Sequence, residues 1–223
     1  MSGAAALSLP DEIVLLTLDG AGRPIGRRGL AADFALAGAV LMELSLAGRI
    51  DTDRAQLHIV STEPTGDAVL DAGLVLLADQ KDSRGAIVML TREETGLREK
   101  VLAGLVARGL LKRVEGRFLL VFPERRFLKP EERPEPREVH ARLVRAVAGD
   151  EVPEPREALL LGLARATALL PALLPEGMLA ARQERIAFLA RIEALNRSVT
   201  ELVHDLYSAR LRSGTPLATP HPG

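Results

Sequence analysis

Apolar and polar positions fall along this chain in blocks of helical length. The run from Ala32 to Asp51, ADFALAGAVLMELSLAGRID, is apolar on nearly every side when wound into a helix. A helix of that kind must be surrounded by other protein. A bilayer span needs about 20 consecutive apolar residues, whereas this run is bounded by Asp33 and Arg49 and carries Glu43 in its middle. The pattern therefore predicts a buried central helix from Ala32 to Ala47. Ala35, Gly38 and Ala39 are small enough to let neighbouring helices come close, and Gly48 supplies the stop. Glu43 reads either as a buried general acid with a raised pKa or as a buried carboxylate paired to an arginine such as Arg49.

The flanking blocks follow suit. In PDEIVLLTL, Pro10, Asp11 and Glu12 make a good first helical turn, with a short strand as the competing reading. DGAGRPIGRRG has the glycine density of a loop, and AQLHIVST suits a short strand. PTGDAVLDAGLVLLAD puts Val69, Leu70, Gly73, Leu74 and Leu77 on one helical face. TREETGLREKVLAGLVARGLL does the same for Leu97, Val101, Leu102, Leu105 and Val106. In LLKRVEGRFLLVFPERRFL, two short apolar runs around Glu115 and Gly116 and a basic, aromatic turn at Pro123 to Phe127 predict a β-hairpin. KPEERPEPREVH reads as an exposed connector, and GDEVPEPRE as a helix break. From Ala158 to Arg210 the pattern is helical, interrupted around Pro171 and Pro175. The expected layout is a flexible start over residues 1–7, one helical domain over 8–210, and a disordered tail over 211–223.

Composition narrows the picture. A hydrophobic fraction of 47% is ample for a core, and 29 Lys and Arg against 30 Asp and Glu give a formal net charge of -1. Bulk charge thus calls for neither nucleic acid nor membrane, and any attraction to phosphate must come from local clusters. With no cysteine there are no disulfides, thiolate metal sites or Cys nucleophiles, which fits a reducing cytoplasm. MSGAAALSLPDEIVLL lacks a basic region ahead of its apolar residues, which argues against a signal peptide.

Candidate chemistry is sparse. His58, His140, His204 and His221 form no i, i+4 pair, so no metal site is expected. Gly20, Gly22 and Gly26 lack the strand-loop-helix setting and the Lys-Ser/Thr ending of a phosphate loop, and read as a plain turn. No catalytic residue and no cofactor is expected, hence no enzyme. What stands out is arginine: Arg23, Arg27 and Arg28 before the central helix, Arg92, Arg98 and Lys100 at a later helix start, and Arg125, Arg126 and Lys129 at the hairpin. Guanidinium forks hold phosphate bidentately, and basic side chains beside Phe122 and Phe127 suit an anionic membrane surface. The plainer alternative is solvated charge balanced by the acids.

Four blocks in order, LSLPDEIVLLTLDGAGRP, LAGAVLMELSLAGRI, PTGDAVLDAGL and LREKVLAGLVARGLLKRVEGRFLLVFP, resemble the Golgi phosphoprotein 3 family. A weaker likeness in REALLLGLARATALLPALLP extends it to roughly Leu7 to Arg210. These are peripheral Golgi proteins that bind phosphatidylinositol 4-phosphate and sort glycosyltransferases. The resemblance implies an all-α fold, a helical bundle around the buried apolar central helix with one protruding β-hairpin. It also implies a headgroup pocket made, in eukaryotic relatives, by a Trp and an Arg flanking the N-terminal loop of the core helix and by two Arg three apart at the start of the helix before the hairpin. Placed without gaps, these positions fall at Arg28, Ala37, Thr95 and Arg98. Arg98 is kept, Arg28 is a cationic substitute, and Arg27 and Arg92 stand near enough to compensate. The basic N-terminal arm of eukaryotic members is missing from MSGAAA.

The expected protein is thus noncatalytic, cytoplasmic and peripherally membrane-associated. It binds anionic phospholipid, with phosphatidylinositol 4-phosphate as the family-implied headgroup. Phe122, Arg125, Arg126 and Phe127 are its expected membrane or oligomer contacts, with homo-oligomers formed through the hairpin and no nucleic acid as partner. Richness in Ala, Leu and Arg suits a high-GC bacterial genome. Two alternatives stay open: a winged-helix-like DNA-binding regulator, since LVARGLLKRVEGRFLLV is a helix followed by a Gly-containing hairpin, and a protein-only scaffold.

Overall fold

Ser8 opens the first helix, α1 (Leu9–Leu16), through a capping box. The Asp11 amide donates to Ser8 Oγ, and the Ser8 amide donates back to Asp11 Oδ2 at 3.1 Å. The helical reading of this segment therefore holds over the strand. A computed structural model describes residues 6–25, 29–118, 122–191 and 194–213. Most of the expected flexible start, and the expected tail from 214 onward, lie outside the described residues. Residues 211–213 belong to the last helix, so the predicted tail boundary is corrected to the end of that helix.

The central helix is α2 (Leu30–Leu46), buried over most of its length. It packs against α1, α3 (Ala68–Leu77), α4 (Ser83–Leu90), α7 (Pro155–Ala166) and α11 (Ala194–Ser213). A Cβ at Gly38 would stand 2.4 Å from Leu163 Cδ2 and 3.1 Å from Val203 Cγ2. The small residues of α2 are thus what lets α7 and α11 close on it. Gly48, at φ +66°, ends the helix, with the Arg49 amide donating to Leu44 O and the Gly48 amide to Ser45 O.

Glu43 resolves in favour of an ion pair, but not with Arg49, whose guanidinium donates to the carbonyls of Ala47, Glu63 and Pro64. The partner is Arg156 at the start of α7. Its Nη2 donates to Glu43 Oε2 at 3.0 Å and to Leu7 O at 2.7 Å, and its Nε donates to Glu12 Oε2 at 2.8 Å. Arg142 of α6 (Glu135–Ala148) bonds the other oxygen of Glu12. Glu12 is only 1% exposed, so two arginines compensate a carboxylate sealed into the bundle.

Several boundaries differ from the sequence reading. α4 was not foreseen. The strand expected in AQLHIVST is β2 (Leu57–Ile59), and it pairs with an unexpected β1 (Ile50–Thr52), which makes a second small hairpin. Buried Ser83 locks its turn by bonding the carbonyls of Asp53 and Gln56. α5 (Leu97–Ala107) begins only after a 3-10 turn at Glu93–Thr95, and Val106 is partly rather than fully buried. α6 and α7 begin inside the segments read as connector and break, because proline is tolerated in a first helical turn. The region after Ala166 breaks at Ala168, at φ +55°, into α8 (Leu170–Leu173), α9 (Met178–Ala181), α10 (Gln183–Leu189) and α11.

The protruding hairpin is β3 (Lys112–Phe118) with β4 (Phe122–Leu128), antiparallel. Its turn is not at Glu115 and Gly116, which lie mid-strand opposite Arg125 and Glu124, and Pro123 to Phe127 is strand rather than turn. The body meets the hairpin at its foot. The Phe127 amide donates to Gly22 O at 2.9 Å, and Lys129 Nζ donates to Leu18 O. Gly22 has φ +73°, and a Cβ there would meet the Phe127 carbonyl at 2.6 Å, so glycine is required by this contact rather than by a phosphate. Among the described residues no helix is long and apolar enough to cross a membrane.

Candidate functional site

The N-terminus of α2, the end of α4, the 3-10 turn and the start of α5 converge on one cavity of about 190 Å³. Two backbone features build it. Gly29, at φ +78°, caps α2 with no side-chain hydrogen bond, and the helix dipole makes that end of α2 positive. Gly96, at φ +60°, turns the chain from the 3-10 helix into α5. The Thr95 hydroxyl donates to Arg92 O at 2.7 Å and braces the turn.

Arg98 lines the cavity and is largely buried. Its Nη1 donates to Asp33 Oδ1 at 3.4 Å, and the two side chains are 17% and 25% exposed. Its Nη2 is buried and has no protein partner. A Cβ at Gly29 would stand 2.8 Å from Arg98 Nη1, so the glycine leaves room for the guanidinium beside the helix terminus. Burial pushes the Asp33 carboxyl up to about 6. The Arg98 charge opposes the rise, and Glu99 and Glu93 add to it. The site is thus a guanidinium that is only half used, held by one long bond to an uncomfortable carboxylate.

Of the residues named from sequence, Thr95, Arg98 and Arg92 line this cavity, with Arg92 at its exposed rim. Ala37 is fully buried within α2 and takes no part. Arg27 and Arg28 lie outside the described residues, directly before Gly29 in the chain. The hairpin residues stand elsewhere. Arg125 is exposed opposite Glu115, and Arg126 is half-buried opposite Val114. Phe127 packs partly buried against the core at the hairpin's foot. Phe122 opposes Phe118 in the register, its side chain lying outside the described residues. Sequence reasoning missed Asp33 as the partner of Arg98 and Gly29 as the space for it. An acid in the first turn of an otherwise apolar helix was the one signal available.

Among the described residues no group of three or more His, Cys, Asp or Glu could hold a metal ion. Such an arrangement can hold an anion of modest size at a guanidinium and a helix terminus. The family model of Golgi phosphoprotein 3 (GPP34) matches residues 9–207. No curated protein matches the chain.

Proposed function

The chain belongs to the Golgi phosphoprotein 3 family, and from that premise we propose that it is a noncatalytic, cytoplasmic protein attached peripherally to membranes. It holds the phosphate of an anionic phospholipid headgroup at Arg98, with phosphatidylinositol 4-phosphate as the family-implied headgroup. The observation that carries this reading is the largely buried guanidinium of Arg98, with an Nη2 that has no protein partner, lining a cavity at the N-terminus of α2. A buried donor without a partner is costly, and a phosphate oxygen removes that cost with a charge-assisted bond. Arg92 at the rim adds a second cation within the same cavity.

Flotation with vesicles tests it. The protein is expected to float with vesicles containing phosphatidylinositol 4-phosphate or phosphatidylglycerol, not with pure phosphatidylcholine, and to be released by salt. Arg98→Ala should weaken binding by about 1.5–3 kcal/mol, the usual worth of a hydrogen bond to a charged group. Arg98→Gln, checked for fold by circular dichroism, guards against a mere folding defect. Equal flotation with phosphatidylcholine would sink the proposal, and displacement by duplex DNA would favour a nucleic-acid reader.

A further inference from the structure

Arg98 already has an anion. Asp33 Oδ1 sits 3.4 Å from its Nη1, and both residues line the cavity, so a phosphate held there by Arg98 would share one guanidinium with a carboxylate in a small, partly desolvated space. The other charges there do not relieve this. Glu99 beside Arg98 on α5 and Glu93 on the 3-10 turn both act on Asp33 as like charges, and Arg92 lies at the exposed rim. Two anions confined to one site keep a proton between them, as paired carboxylates do.

Resting on the headgroup reading above, we propose that Asp33 gates this pocket: it is an in-built anion that competes with the headgroup for Arg98, so that binding takes up one proton at Asp33. The ionised carboxylate holds the guanidinium in the empty pocket. On protonation it becomes a neutral donor that no longer repels phosphate, and the guanidinium turns its full charge to the headgroup. Among the described residues no histidine lines the cavity, and its other two carboxylates, Glu93 and Glu99, are exposed.

The test uses phosphatidylglycerol vesicles, whose phosphodiester keeps a single charge between pH 5.5 and 7.5. With the free carboxyl at about 6, the competent protonated fraction falls steeply across this range, and apparent affinity at pH 5.5 should exceed that at pH 7.5 by about 20-fold. Asp33→Asn, a neutral isostere, should bind at pH 7.5 about as tightly as the wild type does at pH 5.5, and its affinity should change less than about twofold with pH. Calorimetry in two buffers of different ionisation heat should show proton uptake in the wild type and none in Asp33→Asn. A flat wild-type profile, or a variant that keeps the wild-type profile, overturns the proposal. If that happens while Arg98→Ala still weakens binding as expected above, the headgroup reading stands and only the proton coupling falls. No binding by either protein at either pH removes both.

Discussion

Burial lifts the Asp33 carboxyl to about 6 from the ordinary 3.8, and the sign of the consequence is fixed by linkage. The folded state holds the Asp33 proton more tightly than the unfolded chain does, so this group's stabilising contribution is complete below about pH 3.8 and lost as pH rises through 6. At pH 7.5 the ionised group costs the fold up to about 3 kcal/mol, less whatever its partial exposure screens. Asp33→Asn is therefore expected to raise unfolding free energy by about 1–3 kcal/mol at pH 7.5 and by about half a kcal/mol or less at pH 4. Urea denaturation of both proteins at the two pH values measures this, and an equal effect at both would show that the carboxyl is not strained. A residue that weakens the fold at neutral pH while paired to the half-used guanidinium of Arg98 is placed where binding, rather than stability, explains it.

At the scale of elements, the β3–β4 hairpin is the part least explained by the core. A two-stranded ribbon is marginal by itself, and this one is tied to the body at its foot through Phe127 and Lys129. Its length beyond the foot is expected to serve self-association or membrane contact, with Arg125 outward. Leu110 and Leu111 are buried, so a clean deletion must spare them and Phe127. Replacing residues 113–126 by a short Gly/Ser linker should leave a folded helical bundle that sediments as a monomer and floats less well with anionic vesicles. A folded variant with unchanged mass and unchanged flotation would refute the role, and unfolding would assign the ribbon to the core. The misplaced turn in the sequence reading has the same origin. A strand buried on one face must alternate apolar and polar residues, but a protruding ribbon is under no such rule, so Glu115 and Gly116 sit mid-strand while reading as a turn.

Across the whole molecule, α1, α2, α6 and α7 are joined by one ionic cluster, with Glu12 between Arg142 and Arg156, and Arg156 also on Glu43. Removing Arg156 takes the arginine from Glu43 and leaves Glu12 with Arg142 alone, so Arg156→Ala is expected to cost about 3 kcal/mol at pH 7. Chemical denaturation reads this directly, and a loss under about 1 kcal/mol would mean that water replaces the guanidinium. The cluster also marks where sequence stops being sufficient. The existence of α2, its burial and its glycine stop, and the inward faces of α3 and α5 follow from apolar periodicity, because whether a face avoids water is a local property of the residues that form it. Four ordered blocks added the family, and the family's register placed Thr95 and Arg98 in what proved to be one cavity. Which charges meet was decided by tertiary structure alone. Arg156 rather than Arg49 holds Glu43, Asp33 rather than solvent holds Arg98, and Gly22 is shaped by Phe127. Each of these pairs joins segments far apart in the chain, and their contact depends on how whole helices pack, which no one-dimensional pattern of apolar and polar positions encodes.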